Sequence, residues 1–83
     1  MLQEELNKIL DLHELWVKGS SKGKKANLSN QDLSGLDFSY RNLICIIMNN
    51  ARLFKANLSN ANLSYANLYD ANLYDANLSY ANL

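Results

Sequence analysis

The sequence predicts an all-β solenoid with one α-helix over its N-terminal end. Large apolar residues recur every five positions from Leu28 to Leu83. A second series, mostly alanine, lies two positions before each of them. Ahead of these repeats, apolar residues follow helical spacing. The 83 residues suffice for one domain. We divide the chain into a capping helix (1–18), a linker (19–25) and repeats (26–83).

The N-terminal segment has the pattern of an amphipathic helix that ends at Gly19. Lys18 stands near the negative end of the helix dipole, and Gly19 is a stop signal. The apolar stripe consists of Leu2, Leu6, Ile9, Leu10, His13, Trp16 and Val17. We expect this stripe to cover the first coil. The predicted contacts between cap and coil are Leu6, Ile9, His13 and Trp16 on the helix and Leu36 on the coil.

Charge and hydropathy set limits on partners and location. Eight basic and eight acidic residues cancel, so no long-range field attracts nucleic acid or an anionic membrane. The linker, "GSSKGKK", is basic but short, and we interpret it as a solvated connection. No apolar run approaches the roughly 20 residues of a membrane span. The start, "MLQEELNKIL", has no signal-peptide core, so we expect a cytoplasmic protein.

A period of five fits neither a helix nor a straight strand. In a helix, residues five apart spread around the axis, and in a strand they point to alternating faces. Within one unit such as "ANL", however, Ala and Leu are two apart and point the same way in an extended segment. The chain therefore has to turn between units, so that each Ala and Leu points into a common interior. Short extended segments joined by regular corners form a coil, and stacked coils form a solenoid.

The string "ANLSNANLSYANLYDANLYD" resembles a pentapeptide-repeat protein, whose unit is A-(N/D)-L-x-x. The resemblance covers residues 26–83 and implies a right-handed quadrilateral β-helix of about three coils, with four units in each coil. Residue i+20 then stacks on residue i, as in the ladder Leu28, Met48, Leu68. The leader "ILDLHELWVKG", followed by "KKANL", is also similar to that of some bacterial and phage members.

Departures from the repeat and the reactive residues carry further expectations. Gln31, Leu36, Arg41 and Ile46 replace the small residue of the unit, so we place them near the N-terminal mouth, where the helix packs. Cys45 faces outward by phase with Ile44 and Ile47; this strip is either exposed or covered by the helix or linker, and we favour the covered arrangement.

The sequence contains no pattern typical of an active site. The only histidine, His13, lies on the apolar stripe, where we expect a packed residue. One His and one Cys cannot form a zinc site, and no phosphate-binding glycine loop is present. We therefore expect no enzyme activity, cofactor or metal.

Two surfaces are candidates for partner binding. Outward aromatic residues at Phe54 and Tyr74 should stack on one face, with Tyr69 on the next; they form a candidate partner face, unless tyrosine simply suits a strand-like surface. At the other candidate, Leu78, Tyr80 and Leu83 end the most regular units with nothing to cover them. This end either pairs with a second copy as a homodimer, receives another protein, or frays.

The function expected from these features is a non-enzymatic protein–protein interaction module that binds an unknown partner or itself. The resemblance implies an alternative, a DNA-mimicking inhibitor or protector of a type II topoisomerase such as gyrase. That role needs a long acidic rod, whereas the repeats carry four Asp against Arg41, Arg52 and Lys55. A self-assembling structural protein, with coils stacked head to tail, is a third possibility. The regular repeats up to Leu83 also fit a fragment of a longer solenoid.

Overall fold

The computed structural model describes residues 1–83, and its one regular element is the helix α1, Gln3–Val17. Two acidic residues, Glu4 and Glu5, lie in the first turn, where carboxylates favour the positive end of the helix dipole. The Glu5 carboxylate also accepts a hydrogen bond from the Leu2 N–H at 2.9 Å. The helix is therefore stabilised at its start by local interactions.

The helix ends at a glycine in the left-handed conformation. Gly19 has φ +86°; its N–H donates to the Trp16 carbonyl, and the Ser20 N–H donates to the Leu15 carbonyl, both at 3.0 Å. These two bonds form the Schellman arrangement, for which glycine is the usual residue at this position. Gly19 thus ends the helix, as the sequence predicts.

The linker returns along the helix instead of leading away from it. The Lys24 N–H donates to the Leu12 carbonyl at 2.9 Å. A Cβ atom at Gly23 would lie only 2.1 Å from the Trp16 backbone nitrogen, so this close approach requires glycine. The expectation of a solvated linker therefore holds for its lysine side chains, which are exposed, but not for its backbone.

The repeats wind so that residues twenty positions apart lie side by side. Eight isolated parallel bridges connect the coils, and each joins a residue to the one twenty further on. The bridges fall into four columns: Asn27–Ile47–Asn67, Asp32–Arg52–Asn72, Asp37–Asn57–Asn77 and Asn42–Asn62–Asn82. Each extended segment contributes a single bridged residue, and no regular strand or sheet forms. The register expected from the sequence is present, whereas the expected strands are shorter than regular β-strands.

The corners between bridges depend on a left-handed residue at the last position of each unit. Non-glycine residues hold φ between +57° and +63° at ten corners, and Gly35 has φ +74° at another. The turn is closed by a bond such as that from the Ala51 N–H to the Met48 carbonyl at 3.1 Å. The asparagine of the unit adds a second bond, as in Ser29 N–H to Asn27 Oδ1 at 3.1 Å. Proline cannot adopt positive φ, which excludes it from these corners.

The interior is filled by the repeated leucines and closed at one end by α1. The large residues of the first two coils are buried, from Leu28 to Leu63, and Leu6 and Leu10 of α1 belong to the same apolar cluster. In the third coil the equivalent residues Leu68 and Leu73 are only partly buried. Burial of each such side chain stabilises the fold by about 1.5–3 kcal/mol before chain entropy is subtracted. The interior residues are therefore most fully buried in the two coils nearer the helix.

The apolar stripe of α1 is narrower than the sequence predicts. Leu2 is 69% exposed and Trp16 is 37% exposed, because both lie at the margin of the face that contacts the coil. The Trp16 ring instead stacks against the His13 ring, with centroids 5.6 Å apart, and Lys25 Nζ lies 5.3 Å from its centroid. Trp16 thus lies between the helix and the linker.

Candidate functional site

The edge of the first coil that faces away from the second coil is bonded by side chains of α1. We call the backbone polar groups of this edge the N-terminal edge. Gln3 Oε1 accepts from the Asp37 N–H at 2.9 Å, and Gln3 Nε2 donates to the Asp37 carbonyl at 2.8 Å. Glu14 Oε2 accepts from the Asn42 N–H at 2.9 Å. The helix thus supplies bonds that a preceding coil would otherwise provide.

His13 bonds to both the linker end and the first coil. Its side chain is fully buried. Nδ1 accepts from the Ala26 N–H at 3.0 Å, and Nε2 lies 2.9 Å from the Ile44 carbonyl oxygen. Because a backbone N–H can only donate and a carbonyl can only accept, the ring is the neutral tautomer with its proton on Nε2. Burial lowers the pKa of His13, although the bond to Ile44 and the nearby Glu14 charge oppose that shift.

Arg41 provides the ionic contact between the coil and the helix. Its Nη1 lies 2.8 Å from Asp11 Oδ1 and 2.5 Å from Glu14 Oε1, and Nη2 donates to the Asn7 carbonyl at 3.3 Å. Burial alone would lower the pKa of Arg41, but the hydrogen bonds to the two carboxylates raise it overall. A long cation at a position that is usually small is therefore explained by its acidic partners on α1.

The other substituted positions have different surroundings. Leu36 is partly buried against the apolar cluster, and Ile9 of α1 packs against the same cluster. Ile46 is fully buried in the interior, whereas Gln31 is exposed. A replacement of the small residue thus does not by itself mark contact with α1, because the coil also accommodates a large side chain at Ile46.

The opposite end of the coil has no comparable covering within residues 1–83. We call the C-terminal end the surface formed by Leu68, Leu73, Leu78 and Leu83 with the backbone of residues 66–83. In the second coil the Leu58 N–H donates to the Asn77 carbonyl at 2.8 Å, whereas the Leu78 N–H donates no hydrogen bond. Leu83 is 76% exposed and Tyr80 is 90% exposed. The predicted self-interface residues Leu78, Tyr80 and Leu83 therefore lie together on this end.

Tyrosines surround the C-terminal end. Tyr65, Tyr69, Tyr74 and Tyr80 lie at successive corners, each next to a different bridge column, and all four side chains are exposed. Tyrosine combines an apolar ring with a polar tip and is enriched in protein interfaces. An apolar centre with an aromatic and polar rim has the composition of a binding surface.

The predicted partner face is organised by one aromatic stack. The rings of Phe54 and Tyr74 are 5.7 Å apart and nearly parallel, at 4°. The prediction that these two residues stack is confirmed. Lys55 Nζ lies 5.3 Å from the Phe54 centroid, and Tyr69 lies at the preceding corner of the third coil. The three predicted aromatic residues thus occupy adjacent corners.

The strip around Cys45 is half-buried. Ile44, Cys45 and Ile47 are each intermediate in exposure, and Cys45 itself is a corner residue with φ +63°. The Ile44 carbonyl carries the bond from His13. The helix therefore contacts the backbone of this strip without covering all of its side chains.

One cleft lies between the helix and the linker. Its volume is about 270 Å³, and its lining residues are Ile9, Leu12, Lys24, Lys25, Ala26 and Asn27. The lining offers two ammonium groups next to apolar side chains. No group of three or more His, Cys, Asp or Glu side chains is arranged to hold a metal ion, and no helix is long and apolar enough to cross a membrane.

Sequence reasoning did not single out Gln3, Asp11 or Glu14 as contacts to the coil. The one signal for them was Arg41, a basic residue in a small-residue position, which requires acidic partners nearby. Gln3 gave no such signal, because its partner is the backbone of Asp37.

Comparison with protein families agrees with the repeat pattern. Residues 51–83 match the family model described as Pentapeptide repeats, in eight copies. A comparison with curated proteins gave no match.

Proposed function

Residues 51–83 belong to the pentapeptide-repeat family, and on that premise we propose that this chain is a small interaction module whose C-terminal end pairs with a second copy. We also infer that its coils form the right-handed quadrilateral β-helix expected for such repeats. The four columns of parallel bridges support this architecture, since each column corresponds to one side of the coil.

The observation that carries the proposal is the difference between the two ends. At the N-terminal edge, Gln3, His13 and Glu14 occupy backbone groups of the first coil. At the C-terminal end of residues 1–83, the Leu68, Leu73 and Leu78 side chains are partly exposed and their N–H groups donate no hydrogen bond. Exposed apolar surface and unpaired backbone at one place favour association.

The same difference favours a closed dimer over a filament. Head-to-tail stacking would require the N-terminal edge of one copy to receive the C-terminal end of the next. Since side chains of α1 already occupy the Asp37 and Asn42 positions of the N-terminal edge, that edge is obstructed, and pairing of two C-terminal ends of residues 1–83 through a two-fold axis is the arrangement that we favour. Such an interface is self-complementary and stops at two copies.

The absolute mass of the 83-residue chain tests this proposal. We expect light scattering over a concentration series to approach twice the chain mass of 9.4 kDa. Leu78→Asp should shift the mass to the monomer, because it places a charge in the apolar centre of the C-terminal end. Ser79→Asp is the matched control, since it adds the same charge on the exposed neighbour and should leave the dimer intact.

A second variant separates loss of pairing from loss of folding. Tyr80 is almost fully exposed, so Tyr80→Ser should weaken the dimer while the coil stays folded. A wild-type monomer at every concentration would overturn the proposal, and growth of the mass without a plateau would indicate filaments. A supercoiling assay with purified gyrase addresses the topoisomerase alternative, for which inhibition at stoichiometric amounts would be the supporting result.

A further inference from the structure

We propose that His13 is a proton-operated latch that holds the capping helix on the first coil. It is a buried titratable group that the pairing of C-terminal ends does not use. Both ring nitrogens bond to backbone groups outside α1, at Ala26 and Ile44. The imidazole is thus the side chain through which the helix holds both the start of the repeats and the last corner of the first coil.

The latch follows from the donor and acceptor pattern of the ring. In the neutral tautomer, Nδ1 offers a lone pair to the Ala26 N–H at 3.0 Å. Protonation places a hydrogen on Nδ1, so two donors then point at each other. The bond from Nε2 to the Ile44 carbonyl survives protonation, but the Ala26 bond cannot. The charged ring therefore fits its site only if the helix or the Ala26 backbone moves away.

No free counter-ion is available to stabilise the charged ring in place. The charged groups that act on His13 are Glu14 on its own helix and Lys25 on the linker, and Arg41 on the coil is paired with Glu14. Glu14 is already bonded to the Arg41 guanidinium and to the Asn42 N–H. Lys25 lies over the Trp16 ring, which itself stacks on His13, and its charge opposes protonation.

The direction of the pH effect follows from these contacts. Burial lowers the pKa of His13 in the closed state, whereas in the released helix it returns towards 6.5. The stabilisation of the closed state is therefore complete above pH 6.5 and is lost as the pH falls from 6.5 towards the lowered pKa. Within that window the released fraction increases up to about tenfold per pH unit. Release leaves the backbone groups bonded by Gln3 and Glu14 without partners.

Nuclear magnetic resonance of the ¹⁵N-labelled full chain tests the latch. The imidazole nitrogen shifts should report the Nε2–H tautomer and a pKa below 6.5. Amide hydrogen exchange, corrected for the intrinsic pH dependence, should show protection at Ala26 falling up to about tenfold per pH unit as the pH falls from 6.5 towards the lowered pKa of His13. Protection at Leu53, deep in the coil, should stay unchanged over that range.

His13→Gln supplies the matched control. Glutamine keeps a neutral donor and acceptor but does not titrate, so its Ala26 protection should be independent of pH in the window. The proposal is overturned if His13 titrates at or above 6.5, or if Ala26 protection falls equally in His13→Gln. If that variant does not fold, the wild-type imidazole shifts decide the matter, since a latch requires Ala26 protection to follow the His13 titration.

Discussion

The side-chain amide of Gln3 bonds to both the N–H and the carbonyl of Asp37, at 2.9 and 2.8 Å. One coil later, Asn57 makes the equivalent pair through its own backbone, donating to the Leu36 carbonyl and accepting from the Phe38 N–H. A single glutamine side chain therefore replaces two peptide groups of a missing coil. This relationship leads to the first of four predictions.

Replacing Gln3 with alanine should lower the free energy of unfolding by about 1–2 kcal/mol, because two hydrogen bonds to the coil edge are lost. Gln3→Glu keeps the acceptor for the Asp37 N–H but loses the donor, so its effect should lie between wild type and alanine. Urea unfolding measures both values. An alanine variant as stable as wild type would show that water replaces the amide at no cost.

Arg41→Ala should lower the free energy of unfolding by about 1 kcal/mol, since the guanidinium and its carboxylate partners are partly exposed. The loss should shrink as salt is added, because ions screen the pair. Arg52→Ala is the matched control: Arg52 lies in the second coil, is exposed and makes no ion pair. Equal losses for the two arginines, measured in low and high salt, would contradict a specific contact with α1.

A substitution at a left-handed corner should raise or lower the free energy of unfolding, according to how well the new residue tolerates positive φ. Tyr40 has φ +62° and an exposed side chain. Tyr40→Asn should raise the free energy of unfolding by about 0.5–1 kcal/mol, because asparagine tolerates this conformation better. Tyr40→Val should lower it, since a branched Cβ is strained there. Thermal unfolding of both variants checks the order, and identical midpoints would show that the corner does not limit stability.

In the ladder of Phe38, Leu58 and Leu78, the loss of unfolding free energy on substitution by alanine should be smaller at the C-terminal end than in the middle of the coil. Leu58 is fully buried, and Leu58→Ala should cost about 2–5 kcal/mol. Leu78 is only partly buried, so Leu78→Ala should cost about 1–2 kcal/mol in the monomer. Unfolding at protein concentrations below dimer formation gives the comparison. If the two substitutions cost the same, the C-terminal end must already be covered.

The repeat register could be predicted because each side of the coil uses the same local pattern. The stack of Phe54 on Tyr74 follows from that register alone. The contacts of α1 could not be predicted in the same way, since Gln3 and Glu14 bond to backbone groups, which have no sequence signature. Trp16 was predicted to contact the coil but lies at the exposed margin of the helix. Helical spacing gives the direction of a side chain around the helix axis but not the width of the buried face. The packing of the linker against the helix was not predicted. It depends on Gly23, and a glycine in a linker sequence predicts flexibility and not a close contact between backbones.

The covering of one end by α1 leaves length as a variable that evolution or design can change independently. Each coil offers the next the same four columns of bonds, so duplication of residues 46–65 would insert one full turn and preserve every contact of the helix. An insertion of five residues would instead rotate everything after it by one side. The height of a side chain along the coil axis and its direction around that axis can thus be set separately. The molecule is therefore a scaffold on which a residue such as Tyr74 can be placed at a chosen distance and angle from the helix.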